Sequence, residues 1–367
     1  MATAQGTWAY RDEHGEDFGR TYFRRHGEGV VSSVGLGTYL GEPTDDVDER
    51  YHEALVAGLE RGCNVLDTAI NYRCQRSERV VGRAIADADV DRDAVMVATK
   101  GGFVPFDGER PEDPGGYVKA EFVDEGPLEA DDLAQGSHAI EPDFLDDQLD
   151  RSLENLGLET IDLYYVHNPE TQLAVRSRDE VYDQLEAAFE CLEERRAEGD
   201  IGAYGIATWE ALRVPVDHPA YLSLPDVIER ARRAADTAGA DTTGFRAIQL
   251  PFNVEMADAF TVAAHEGPDG AQSALHFAQE AGLSAFASAS LKQGELTDGL
   301  PEHVAARVEG DTDAQRAINF ARSAPGVTAA LVGASRREHA LENVEAGRFD
   351  PMGAEAFDAV FASESTN

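Results

Sequence analysis

Lysine is almost missing from this chain. Of 31 basic residues in 367, only three are lysine, at positions 100, 119 and 292, and the other 28 are arginine. Cysteine is as scarce: Cys63, Cys74 and Cys191 are too few and too scattered for a disulfide framework or a metal knuckle, so no metal site is expected. No run of about 18 apolar residues occurs, which excludes a membrane-spanning helix. The first residues, Met1 to Thr7, lack both the basic start and the apolar stretch of a secretory signal. Positive charge is short overall, with 70 acidic residues and a net charge of −39. Without a basic stripe to meet phosphates, nucleic acid is not an expected partner. Low-complexity blocks and short internal repeats are absent too. These absences point to a soluble, cytoplasmic protein, and 42% hydrophobic residues suffice for a sizeable core.

The acids are spread along the chain, as in Asp87-Ala88-Asp89-Val90-Asp91-Arg92-Asp93. Such a chain repels itself unless screened, and at 1 M salt the Debye length falls to about 3 Å. The composition resembles that of proteins from salt-in halophiles. A partner with a basic surface is the rival explanation, disfavoured because no segment concentrates the charge.

Short apolar runs alternate with longer amphipathic stretches, the signal of repeated strand–helix units around a parallel sheet. Strands are expected at 34–38, 64–67, 95–100, 161–167, 201–206, 245–250, 284–288 and 327–332. Helices are expected at about 46–61, 77–86, 144–156 and 179–199, with Gly62 and Gly157 as stops. Eight such units predict an α/β fold, a (β/α)8 TIM barrel spanning residues 1–367 as one domain. The surplus is assigned to an N-terminal hairpin and extension over 1–30, plugging the barrel bottom, and to loop insertions at 101–140 and 209–225. Both insertions follow strand C-termini, where barrel enzymes build their sites.

Three of these strands end in titratable side chains. Asn64 to Asp67 leads on to Tyr72, Val95 to Thr99 leads to Lys100, and Ile161 to Val166 leads to His167. A lysine that survives at the end of a buried strand, in a chain purged of lysine, points to chemistry rather than to surface.

These residues resemble the aldo-keto reductase family over roughly residues 30 to 347. The carrying motifs are Asp67-Thr68-Ala69 with Tyr72 and Glu78, Thr99-Lys100, Ile161-Asp162-Leu163-Tyr164 with His167, Gly205-Ile206-Ala207-Thr208, Gln249, and Gly333-Ala334-Ser335 with Glu342-Asn343. The resemblance implies reduction of an aldehyde or ketone, or the reverse oxidation of an alcohol, by hydride transfer from a nicotinamide cofactor. It makes Tyr72 the proton donor, Lys100 its tuner, Asp67 the partner of the lysine, and His167 the residue that orients the carbonyl. The chemistry asks for these types. A phenol with pKa near 10 is a poor acid at neutral pH, and a neighbouring ammonium lowers that value. A neutral histidine donates to the developing oxyanion.

The same resemblance places the cofactor against Gly37, Thr38, Asp67, Thr208, Gln249, Ser288, Leu291, Gln293, Gly333, Ser335, Arg336, Glu342 and Asn343. Tyr39 and Trp209 are the expected substrate contacts. Arg336 or Arg337 beside a helix N-terminus favours the 2′-phosphate of NADP, with NAD as the alternative. The chain departs from the family pattern in three places: Ala207-Thr208 replaces a Ser-Asn pair, Ser288 replaces a stacking tyrosine for which Phe286 is the candidate substitute, and Arg73 stands where a glycine usually follows the tyrosine. Those departures leave open a nicotinamide-binding regulatory or scaffold barrel with little turnover. A Schiff-base lyase using Lys100 is the third reading. Cys74 reads as a packed thiol. The partner expected is a small carbonyl or alcohol molecule; oligomeric state is not legible.

Overall fold

The computed structural model describes residues 1–362, so the last five residues of the 1–367 span lie outside the described ones. Eight parallel strands close into a barrel: β1 (Val34–Gly37), β2 (Val65–Asp67), β3 (Met96–Gly101), β4 (Ile161–His167), β5 (Ile201–Ala207), β6 (Phe245–Pro251), β7 (Ser284–Ser288) and β8 (Val327–Gly333). A helix follows each strand in turn: α1 (Asp45–Leu59), α2 (Arg76–Asp87), α3 (Pro142–Leu156), α4 (Arg178–Glu198), α5 (Leu224–Thr237), α6 (Ala274–Glu280), α7 (Asp313–Ser323) and α8 (Arg337–Glu345). The expected (β/α)8 barrel is the fold observed.

Local sequence explains the boundaries. β4 is buried along its whole length, because one face packs into the barrel interior and the other against the helices. α4 opens on a capping box, Ser177 with Glu180, and stops at Gly199, whose φ of +96° suits a residue without Cβ. Inside the barrel, Val65, Met96, Leu163, Tyr165, Phe286 and Leu331 form the central core. A larger shell between strands and helices holds the rest. Gly205 is required by packing, since a Cβ there would lie 2.0 Å from the Ala247 carbonyl oxygen.

Strand register gathers the site. The pairs Gly37↔Asp67, Lys100↔Tyr165, His167↔Ala207, Ala207↔Gln249, Ser288↔Pro251 and Gly333↔Gly37 run around the C-terminal rim.

The surplus segments are more structured than their composition implied. Residues 1–30 do not form one hairpin. Thr3 caps a helix, Ala4–His14, by accepting from Gly6 N at 2.9 Å, and the hairpin is confined to Phe23–His26 paired with Gly29–Ser32. It lies at the N-terminal end of the barrel, where Val31 joins the central core and Ser32 N donates to Asn64 Oδ1 at 2.7 Å. The 101–140 insertion carries short helices, Pro114–Val118 and Lys119–Asp124. Val104, Val118, Phe122, Leu128 and Ala139 pack there with Phe144 of α3 as a small core of their own. Among the described residues no helix is long and apolar enough to cross a membrane, and no group of three or more His, Cys, Asp or Glu side chains could hold a metal ion.

Candidate active site

The C-terminal rim opens into a cavity of about 810 Å³. At its base, Lys100 is fully buried and donates through Nζ to Asp67 Oδ1 at 2.7 Å and to Thr68 O at 2.7 Å. The other carboxylate oxygen of Asp67 accepts from Gln249 Nε2 at 2.7 Å. Lys100 Nζ lies over the face of the Tyr72 ring, 5.0 Å from its centroid, an attractive cation–π geometry. Tyr39 and His167 meet the same ring edge-on, at centroid separations of 4.9 and 5.9 Å. Lys100 and His167 thus flank the Tyr72 ring, and Asp67 joins them through the lysine.

The β2–α2 segment is held in place by its backbone. Thr68 N donates to Ala98 O and Ile70 N to Lys100 O, extending the β2–β3 ladder past the strand end. After Tyr72 the chain turns sharply: Arg73, Cys74 and Gln75 have φ of +49°, +57° and +68°. Each left-handed non-glycine residue costs about 1–2 kcal/mol, so the turn needs an anchor. The buried Arg73 guanidinium supplies it. It donates to Glu42 O at 3.2 and 3.1 Å, pairs with Asp48 of α1, and lies 5.2 Å over the Tyr51 ring. Tyr51 in turn donates to Leu40 O at 2.7 Å. One arginine therefore ties the Tyr72 turn to the loop bearing Tyr39 and Leu40. The sequence marked Arg73 only as a departure; its role emerges from the fold.

The electrostatics correct one expectation. Burial, then Asp67, then Tyr39 raise Tyr72 well above the ordinary phenol range, whereas the sequence argument anticipated a lowered value. Lys100 hydrogen-bonds to Asp67 and Thr68 rather than to the hydroxyl. Burial also holds Lys100 below the usual lysine range, with Asp67 pulling it back up. His167 is driven well below the ordinary imidazole value by burial, then by Lys100 and His138, so it is neutral at pH 7. His138, from the 101–140 insertion, meets His167 O through Nε2 at 2.7 Å, and Gln172 Nε2 faces its Nδ1 at 3.0 Å. A carbonyl only accepts, so Nε2 carries the proton. Burial lowers His138 to about 4. No sequence motif flagged this second histidine.

The remaining expected residues divide in two. Gly37, Thr38, Thr208, Gln249, Ser288, Leu291, Gln293, Gly333, Glu342 and Asn343 line the cavity, as do Tyr39 and Trp209. Ser335 and Arg336 do not; Arg336 and Arg337 are exposed at the start of α8. Phe286 cannot replace a stacking tyrosine. It belongs to the central barrel core and faces His26 of the hairpin, centroids 5.9 Å apart, at the far end from Tyr72. Sequence reasoning missed Leu40, Asn71, Phe103 and His339 as lining residues. Phe103 had a signal, since it follows Lys100-Gly101-Gly102 directly; it packs edge-on to His167 at 5.1 Å. Thr208 Oγ1, His167 Nδ1 and Asn71 Oδ1 are buried without hydrogen-bond partners. Cys74 is raised chiefly by burial, which fits an unactivated thiol.

A sequence profile described as the Aldo/keto reductase family matches residues 33–215, the stretch that contains Asp67, Tyr72, Lys100 and His167. The chain belongs to the aldo/keto reductase family. An aldo-keto reductase of Mycobacterium avium is 26% identical over 162 residues, 44% of this chain and 41% of that protein; the chain spans less than half the length of the curated relatives it matches. Among solved structures, the glycerol dehydrogenase of Gluconobacter oxydans superposes with a TM-score of 0.63 at 19% identity, covering 94% of this chain and 95% of that one. An aldo/keto reductase from Klebsiella pneumoniae, solved in complex with NADP and acetate, gives 0.60 at 22% identity, with 94% and 95% covered. At such identities these likenesses show the (β/α)8 barrel fold over nearly the whole chain.

Proposed function

We propose that this chain is an NADP-dependent oxidoreductase that reduces an aldehyde or ketone to an alcohol, or runs the reverse oxidation, with Tyr72 as proton donor. The observation that carries the reading is the convergence of Lys100, held by Asp67, and His167 on the Tyr72 ring at the base of a cavity large enough for a cofactor and a substrate. The donor set fits a nicotinamide nucleotide: Thr208 Oγ1 is buried and unpartnered, and the cavity runs on to Gly333 and to Asn343 of α8. Arg336 and Arg337 stand exposed at that helix start, where a 2′-phosphate is favoured over a free hydroxyl. The nicotinamide, when bound, supplies the hydride.

The protein's own groups handle the proton. Tyr72 rests as the neutral phenol, since its environment raises it, and so holds a proton ready at its hydroxyl. As that proton leaves, negative charge grows on the phenol beside the Lys100 ammonium, whose field stabilises it. Asp67 fixes the ammonium, and Gln249 fixes Asp67. Neutral His167 donates to the carbonyl oxygen and orients it. Exposed Tyr39, Leu40 and Trp209 form the apolar rim through which substrate enters. Salt adaptation belongs to the same proposal and rests on the net charge of −39.

The test is NADPH consumption against an aldehyde and ketone panel in concentrated salt. Tyr72→Phe is expected to lower turnover by about 10²–10⁴-fold while nucleotide binding persists. Nucleotide binding without turnover in the parent would favour a scaffold role instead. A Schiff-base role for Lys100 finds little support, because the amine is fully buried and paired with Asp67.

A further inference from the structure

At the other end of the barrel a second cavity, about 430 Å³, opens between the hairpin and the α7–β8 turn. Four of its lining residues are arginines, Arg20, Arg24, Arg25 and Arg322, and none is acidic. With 70 acidic against 31 basic residues in the chain, such a wall runs against the composition. Most arginines elsewhere find carboxylates; Arg195, for one, meets Asp146, Asp150 and Asp200. Among the described residues none of these four forms an ion pair. Arg24 instead donates to the carbonyls of Val327 at 2.6 Å, Arg322 at 2.5 Å and Thr21 at 3.3 Å. Arg322 is fully buried and donates to Ser33 Oγ, Asn319 Oδ1, Ala346 O and Phe349 O. Its Nη2 is left without a partner. Arg25 lies over the Trp8 ring at 5.3 Å, and Arg20 is exposed.

Neutral acceptors satisfy hydrogen bonds but do not cancel charge. Burial and then Arg322 lower Arg24 to about 9, and burial lowers Arg322 to about 10, with Tyr22 and Asp350 pulling it back. Asp350, the one acid that reaches this group, is itself exposed. Like charges held together away from water are costly unless a counter-charge is supplied. Guanidinium forks match tetrahedral oxyanions in geometry as well as in sign.

We propose that this cavity binds a phosphate-class oxyanion, held by Arg20, Arg25 and the remaining N–H groups of Arg24, with Arg322 adding charge from behind. The site sits among strand N-termini, the face of a barrel that serves stability rather than catalysis. Its occupant therefore braces the hairpin against α7 and β8 and leaves turnover untouched. The cavity exceeds one phosphate in size, so free phosphate and a small phosphate ester share the required chemistry.

Calorimetric titration and thermal unfolding of the full chain, at ionic strength fixed with KCl, test this with inorganic phosphate and glycerol phosphate as probes. Phosphate is expected to bind saturably and to raise the unfolding temperature above that in chloride alone. Tighter binding of the ester identifies an organic phosphate as the preferred occupant; equal binding identifies the free ion. Arg20→Gln with Arg25→Gln, both at exposed positions, is expected to weaken binding about tenfold or more with carbonyl turnover unchanged. The double variant also separates this site from phosphate captured near Gly333 in the larger cavity. The proposal is overturned if phosphate stabilises no more than chloride, or if the double variant binds it as well as the parent.

Discussion

The two halves of the barrel build the same cavity by different means. In residues 33–215, matched by the family profile, the reactive side chains hold one another: Lys100 on Asp67, Arg73 on Asp48, His138 on the His167 carbonyl. In the second half small residues, Ser288, Ala289, Gly294 and Gly333, leave backbone close to the cavity between larger ones such as Leu291, Gln293 and Glu342. The shape of this wall is kept from outside. Asn253 Nδ2 donates to Ala289 O at 2.9 Å, and Lys292 spans Glu255 and Glu295. A backbone N–H presents the same donor whatever side chain it carries, so that wall tolerates changed residues, whereas interlocked side chains do not. Gln249 joins the two halves, reaching from β6 to the Asp67 carboxylate.

This contrast makes its own predictions. The largest effect belongs to Lys100→Met. It leaves Asp67 buried and unpaired, at about 3–5 kcal/mol of stability, and chemical denaturation should show Lys100→Met with Asp67→Leu recovering much of the loss. Next comes acid. His138 falls from the ordinary 6.5 to about 4 in the fold, so the unfolded chain takes up its proton first. The stability this group contributes is complete above pH 6.5 and is lost as pH falls toward 4, by up to about 3 kcal/mol; His138→Gln should flatten that part of a stability–pH curve.

Arg73→Ala is expected to lower kcat/KM about tenfold, since both the Tyr72 turn and the Tyr39 loop lose their anchor. Arg73→Gly should destabilise less than Arg73→Ala, by roughly 1 kcal/mol, because glycine accepts the positive φ. In the second half, Ser288→Ala should change nucleotide affinity by less than about threefold, under roughly 0.6 kcal/mol. A tenfold loss in a fluorescence titration would break the contrast between the halves.

The strands and the cluster around Tyr72 were legible because burial and chemistry coincide there. β3 is apolar until it ends at Thr99-Lys100-Gly101, and an apolar run interrupted by a charge is visible in one dimension. His138 was hidden because its partners, the His167 carbonyl and Gln172, come from β4 and the segment after it, so their approach depends on tertiary geometry. Phe286 misled for the opposite reason: two residues before Ser288 it shares that residue's inward face of β7, yet it lies about 7 Å deeper along the strand, inside the barrel core. The raised Tyr72 phenol could not be foreseen either, since burial and the Asp67–Lys100 pairing outweigh the simple presence of a lysine.

The account rests on the Lys100 ammonium stabilising the Tyr72 phenolate as the proton departs. Its most direct test is the pH dependence of alcohol oxidation, where Tyr72 must first lose its proton, in the parent and in Lys100→Met. The account predicts a higher apparent pKa in the variant, so that its rate rises only at more alkaline pH. An apparent pKa that stays where it was would contradict it.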